Sequence, residues 1–216
     1  MVSVWFFAAN LIGYFRIITG ILAFYYRTSN PLYFCVLYFV SYLADAFDGT
    51  AARALHQCSQ FGACLDMTTD RFCTAALLCV LSNLYPDQAY IFICLMILDI
   101  VSHWTQMFAS SNCGMVSHKA MTKKDNVLLR LYYNNRIVLF TVCFMNEAYF
   151  VCKYILATIN HPTMAIFAPY DKYFTIFMQV CFPVFVFKQI TSILAYIGAC
   201  KRIVHHDQEQ IKNKKH

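Results

Sequence analysis

Charge is what this chain has least of. Lys, Arg, Asp and Glu together make up 13% of its 216 residues, about half the share of an ordinary soluble domain. Hydrophobic residues make up 60% and the mean hydropathy is +0.51; that balance argues against a soluble globular chain and for an integral membrane protein. No CxxC pair and no His/Cys zinc spacing occurs, and the 11 cysteines are odd in number and fall mostly within apolar stretches. They read as small hydrophobes, which argues against a disulfide scaffold and a zinc module. The N-terminus lacks a basic n-region and a small-residue cleavage site, so the first apolar stretch is expected to be kept as a span. The net charge of +6 sits in short loops and a tail rather than along an extended face. Membrane orientation accounts for it, and no nucleic-acid partner is expected.

Windows of about 20 apolar residues predict six helices, at about 5–26, 32–53, 62–84, 88–110, 131–158 and 173–199. The expected fold is all-α, an integral membrane six-helix bundle over 1–200 followed by a basic cytoplasmic tail over 201–216. Ser29-Asn30-Pro31, Tyr85-Pro86-Asp87 and Asn160-His161-Pro162 supply the breaks. An even number of spans puts both termini on one side. That side holds Lys119, Lys123, Lys124, Arg130, Arg136, Lys201, Arg202, Lys212, Lys214 and Lys215, against Arg27, Lys153 and Lys172 across the membrane. The positive-inside rule makes the first set cytosolic. Most of the 20 Phe and 15 Tyr then serve as core, lipid face or interface belts.

Against this oily background stands one acidic run, Asp45-x2-Asp48-Gly49-x2-Ala52-Arg53-x8-Gly62-x3-Asp66-x3-Asp70. Carboxylates are costly within a membrane and mark a functional site by default. Residues three or four apart share a helix face, so Asp45 and Asp48 project together from the second helix and Asp66 and Asp70 from the third. The short polar stretch 53–61 turns the chain so that the pairs meet, at the cytosolic end of the bundle. Oxygen-only ligands favour Mg²⁺ or Mn²⁺, and four carboxylates can hold two such ions of the kind that assist displacement at phosphorus. Gly49, Ala52 and Gly62 are small enough to let a helix or a nucleotide approach the backbone. Each alone fits ordinary helix packing better; their register with the aspartates points to the site. Arg53 offers a planar fork of donors to a phosphate.

The run resembles, at every fixed position, the signature of the CDP-alcohol phosphatidyltransferases. The resemblance implies a six-helix membrane enzyme, a homodimer, that moves a phosphatidyl group from a CDP-linked lipid to an alcohol and releases CMP. It makes Asp45, Asp48 and Asp66 metal ligands, Asp70 a metal-site residue and the general base, and Gly49, Arg53 and Ser59 contacts of the CDP-lipid. Further segments are similar to the inositol-using branch of that family in eukaryotes: Asn10 to Tyr14 with Arg16, Leu43 to Gly49, Ala52 to Leu55, Ser102-His103-Trp104, Leu129 to Tyr133 with Arg136, and Asn146-Glu147. The expected substrates are therefore CDP-diacylglycerol and myo-inositol, and the expected location is the endoplasmic reticulum membrane. Ala9 departs from the family, which often has proline there. Another acceptor alcohol, or a divalent-cation transporter, is the competing reading.

Other polar residues are less determined by the sequence. Asn10 and Arg16 lie in the first helix, and Arg16 is expected to face the acidic site, since intramembrane arginines turn to polar interiors. Arg130 and Arg136 open the fifth helix, where Tyr133, Asn134 and Asn135 could also meet inositol; orientation alone would explain the arginines as well. Asp99 and His103, at i and i+4, are expected to pair structurally.

Overall fold

A computed structural model of the chain describes residues 3–112 and 135–214, with no strand among them. Among the described residues six helices make up the bundle: α1 (Ala8–Tyr26), α2 (Pro31–Ala54), α3 (Gln60–Leu84), α4 (Ala89–Asn112), α5 (Arg136–Thr158) and α6 (Asp171–Asn213). Their starts follow from capping chemistry. Asn30 accepts from the Tyr33 N–H with Pro31 at the first helical position, and Asn135 accepts from the Ile137 and Val138 N–H groups at 3.0 and 3.3 Å. Asn135, a sequence candidate for the inositol pocket, is thus an N-cap. Arg130, Tyr133 and Asn134 lie outside the described residues, as does the side chain of Arg136.

Three boundaries differ by three residues or more from the sequence expectation: α5 begins at Arg136 rather than at 131, and the other two lie toward the chain ends. A 3₁₀ turn, Val4–Phe6, precedes α1, which begins three residues late. At the other end α6 runs on to Asn213; its last turns are polar and exposed, so no hydrophobic window could have found them. Among the described residues five helices, α1, α2, α4, α5 and α6, are long and apolar enough to cross a membrane. The sixth, α3, has 25 residues, about 37 Å at the helical rise and longer than the hydrocarbon thickness, but Asp66, Asp70 and Arg71 depress its hydropathy.

The helices form a ring in which α1 packs on α2 and α3, α3 on α4, α4 on α6, α6 on α5, and α5 closes against α2 and α3. One end is filled by Phe34, Leu77, Leu78, Leu81, Phe92, Phe150, Tyr154 and Phe185, all buried. Phe34 and Tyr154 sit 4.2 Å apart between centroids, and Tyr149 stacks on Phe185 at 4.5 Å. Outward-facing Ile18, Ile21, Phe39, Ile97, Trp104, Ile176 and Val180 are exposed, the belt a lipid-facing surface requires. The opposite end of the ring is where the acids gather.

Candidate active site

The reversal between α2 and α3 decides the site. Past Ala54 the chain closes with Gln57 N–H on the Ala52 carbonyl at 2.8 Å and His56 N–H on Arg53 at 3.4 Å, a Schellman end with His56 left-handed at φ 53°. Histidine tolerates that conformation better than a branched residue. Ser59 then starts α3 by accepting from the Gly62 N–H at 3.0 Å, so this expected lipid contact is also a helix cap. Gln57 accepts from the Ala8 N–H at 2.9 Å, tying the start of α1 to the same turn. At Gly13 an added Cβ would lie 2.7 Å from Leu65; the missing side chain lets α1 approach α3 closely.

That approach brings Arg16 to the acids. The residue is 3% exposed, and its guanidinium stands 2.7 Å from Asp45 Oδ1, 2.8 Å from Asp48 Oδ2 and 2.9 Å from Asp66 Oδ1, and also donates to Asp70. The four aspartates therefore converge, as their spacing predicted, and the arginine expected to face them sits at their centre. Arg71 reaches Asp70 at 3.5 Å, yet the cage stays net negative. Ligand oxygens of Asp45, Asp48 and Asp66 lie within 4.8 Å of one another. An all-carboxylate donor set this tight, already closed around one cationic group, suits hard divalent ions.

The cage separates two cavities. One, about 200 Å³, is lined by Asp48 and Asp66 with Asn10, Gly49, Ala52, Arg53, Ser59 and Gly62. Arg53 folds back over Gly49, where an added Cβ would meet its Nη1 at 3.2 Å, and a Cβ on Gly62 would meet Asn10 Oδ1 at 2.7 Å. Asn10 is itself fixed by donating to the Val4 carbonyl at 2.6 Å. The second cavity, about 420 Å³, lies between α2, α3, α5 and α6 and has Asp45 and Asp70 in its wall with Arg16, Tyr42, Arg71, Asn146, Glu147 and Lys188.

Comparison with known proteins then decides the family. The CDP-alcohol phosphatidyltransferase model matches residues 6–204. The chain belongs to that family. Among curated relatives, a Schizosaccharomyces pombe protein is 40% identical over 96% of this chain and 93% of its own length, one from Saccharomyces cerevisiae is 39% identical over 95% and 89%, and one from Homo sapiens is 37% identical over 99% and 98%. Each is named CDP-diacylglycerol–inositol 3-phosphatidyltransferase. No solved structure matches the chain.

For this phosphatidyltransferase the sequence reading missed a second buried charge cluster. Asp99 accepts two bonds from Arg71 Nη1, both at 3.0 Å, and one from Lys188. His103 pairs with Asp99 as expected, its Nδ1 lying 2.8 Å from the Asp99 main-chain carbonyl and 3.6 Å from the carboxylate. Nearby, Glu147 takes the Tyr38 hydroxyl and the Thr74 hydroxyl, the latter at 3.4 Å, and Gln189 donates to Asn146 Oδ1 at 2.9 Å. The available signal was an ionisable residue in each of four apolar helices; spacing could not say which would meet.

Proposed function

We propose that the chain transfers a phosphatidyl group from CDP-diacylglycerol to myo-inositol, making phosphatidylinositol and releasing CMP. The observation that carries this is the four-carboxylate cage set between two cavities, in a chain whose relatives bear that name over nearly their whole length. In this reading Asn10, Gly49, Ala52, Arg53, Ser59 and Gly62 hold the CDP head in the smaller cavity. Asp70 takes the proton from an inositol hydroxyl as its oxygen attacks the lipid phosphorus. The new P–O bond forms as the bond to the CMP oxygen breaks, and CMP departs with that electron pair. Asp45, Asp48 and Asp66, with Asp70, would hold two Mg²⁺ or Mn²⁺ ions, which when bound neutralise the diphosphate and the developing charge on CMP. Arg16 gives the cage positive charge of its own and must yield room as ions enter.

The acyl chains stay in the bilayer, so substrate and product pass sideways between helices. The enzyme works as a homodimer in the endoplasmic reticulum membrane, with the site and both termini cytosolic; the clustering of basic residues at one face supports that orientation. The test is CMP release by purified protein in detergent. Release that requires inositol, stops on chelation and returns with Mg²⁺ or Mn²⁺ supports the proposal. Release driven instead by glycerol phosphate, serine, choline or ethanolamine changes the acceptor, and metal flux without CDP-lipid overturns the enzyme.

A further inference from the structure

Arg71 follows Asp70 directly in α3, and adjacent residues on a helix do not face each other. The two side chains nonetheless meet, with Arg71 Nη2 standing 3.5 Å from Asp70 Oδ2. The guanidinium is fixed there by Asp99 of α4, both of whose oxygens accept from Arg71 Nη1 at 3.0 Å. Asp99 also accepts from Lys188 of α6, and its side chain is 4% exposed, so the anchor is buried and braced from two further helices. One carboxylate between two cations leaves one positive charge over. The second nitrogen of the Arg71 fork carries it toward Asp70.

Asp70 is thus gripped from both sides: its Oδ1 accepts from Arg16 and its Oδ2 faces Arg71. The two grips differ in permanence. Arg16 is shared among four carboxylates and gives way in the proposed reaction, whereas Arg71 is held from outside the cage. We propose that Arg71, anchored by Asp99 and Lys188, is a positioning residue: it holds Asp70 by Oδ2 and leaves Oδ1 as the oxygen that takes the proton of the attacking hydroxyl. This rests on the function proposed above. A base works only within hydrogen-bond reach of the proton it removes, and a displacement of about 1 Å costs about 10²-fold in rate. A guanidinium can serve two carboxylates at once because its donors form a rigid planar fork, which a lysine ammonium lacks. The surplus charge of the Asp99 group is likewise answered by the acidic cage rather than left unpaired in the bundle.

The test is a double-mutant cycle on the full chain in detergent. Arg71→Lys keeps the charge and a partner for Asp99 but gives up the fork. It should lower kcat for CMP release about 10- to 100-fold, while the KM values for inositol and CDP-diacylglycerol and the melting temperature stay near wild type. In an Asp70→Asn background the same substitution should change the residual kcat little, because its effect passes through Asp70. Lys188→Met removes the surplus charge and lets Asp99 draw Arg71 to itself; it should lower kcat in the same selective way by a smaller factor, and it guards against a folding failure of the first variant. Wild-type kcat in folded variants, a raised inositol KM at unchanged kcat, or a loss that adds in full to that of Asp70→Asn overturns the positioning role. A wild type that releases no CMP with any alcohol overturns the function proposed above and this role with it. One that requires another alcohol changes the acceptor alone, and the same cycle run with that alcohol judges Arg71.

Discussion

Two buried charge clusters lie within one bundle and are built on opposite principles. Around Asp99, whose side chain is 4% exposed, two cations answer one carboxylate, and the group knits α3, α4 and α6 together. Around Arg16 four carboxylates share one guanidinium, and three of them, Asp45, Asp66 and Asp70, are about a third exposed to the cavities beside them. The first cluster leaves one positive charge over, and Arg71 turns that surplus toward Asp70 at 3.5 Å. The second is left short of positive charge at the point where two cavities meet, which is what the proposed binding of divalent ions and a diphosphate requires. Burial of charge alone does not distinguish a structural ion pair from a reactive centre; balance and access do.

The comparison can be broken most severely at the acidic cluster. Asp70→Asn should lower CMP release by about 10²- to 10⁴-fold, the usual loss for a general base, with the melting curve unchanged; near-normal turnover would remove Asp70 from that role. At the Asp99 cluster the failure should be of stability. Asp99→Asn leaves Arg71 and Lys188 buried without their counter-charge, a loss of about 3–5 kcal/mol, read as a lower thermal midpoint in detergent. If that variant melts like wild type, the cluster is not structural. Gly62→Ala sharpens the contrast within the cage, because the new methyl meets Asn10 and Ser59 at the smaller cavity. An overpacking cost of about 1–3 kcal/mol should surface as a raised KM for CDP-diacylglycerol, with the KM for inositol little changed. The smallest effect is expected from Arg16→Gln. Without the guanidinium the metal-free protein should melt lower and gain more from added Mn²⁺ than wild type does; an equal gain in both would mean that Arg16 does not stand in for the ions.

What the sequence reveals follows the range of the interaction. The aspartate pairs were legible because i, i+3 and i+4 spacing fixes a helix face locally, and the six helices because a bilayer demands a minimum apolar length. That Arg16 belongs with the acids was legible from its place in an apolar segment. Its role as their common partner was not, since it depends on Gly13 letting α1 close on α3. Asp99 shows the limit more sharply. Local spacing offers His103, but the stronger partners come from positions 71 and 188, brought in by tertiary packing across 28 and 89 residues of chain. Glu147 likewise finds Tyr38 109 residues away. The extension of α6 was hidden for a different reason: an exposed helix needs no apolar stripe when it continues one already formed.

The most direct measurement is a titration of Mn²⁺ into purified protein in detergent, wild type beside Asp45→Asn/Asp66→Asn. Binding of about two ions per chain by wild type, lost in the double variant while helical content by circular dichroism is kept, is the predicted result. Undiminished binding by the double variant, or none by an active wild type, would contradict an acidic cage built to hold divalent ions.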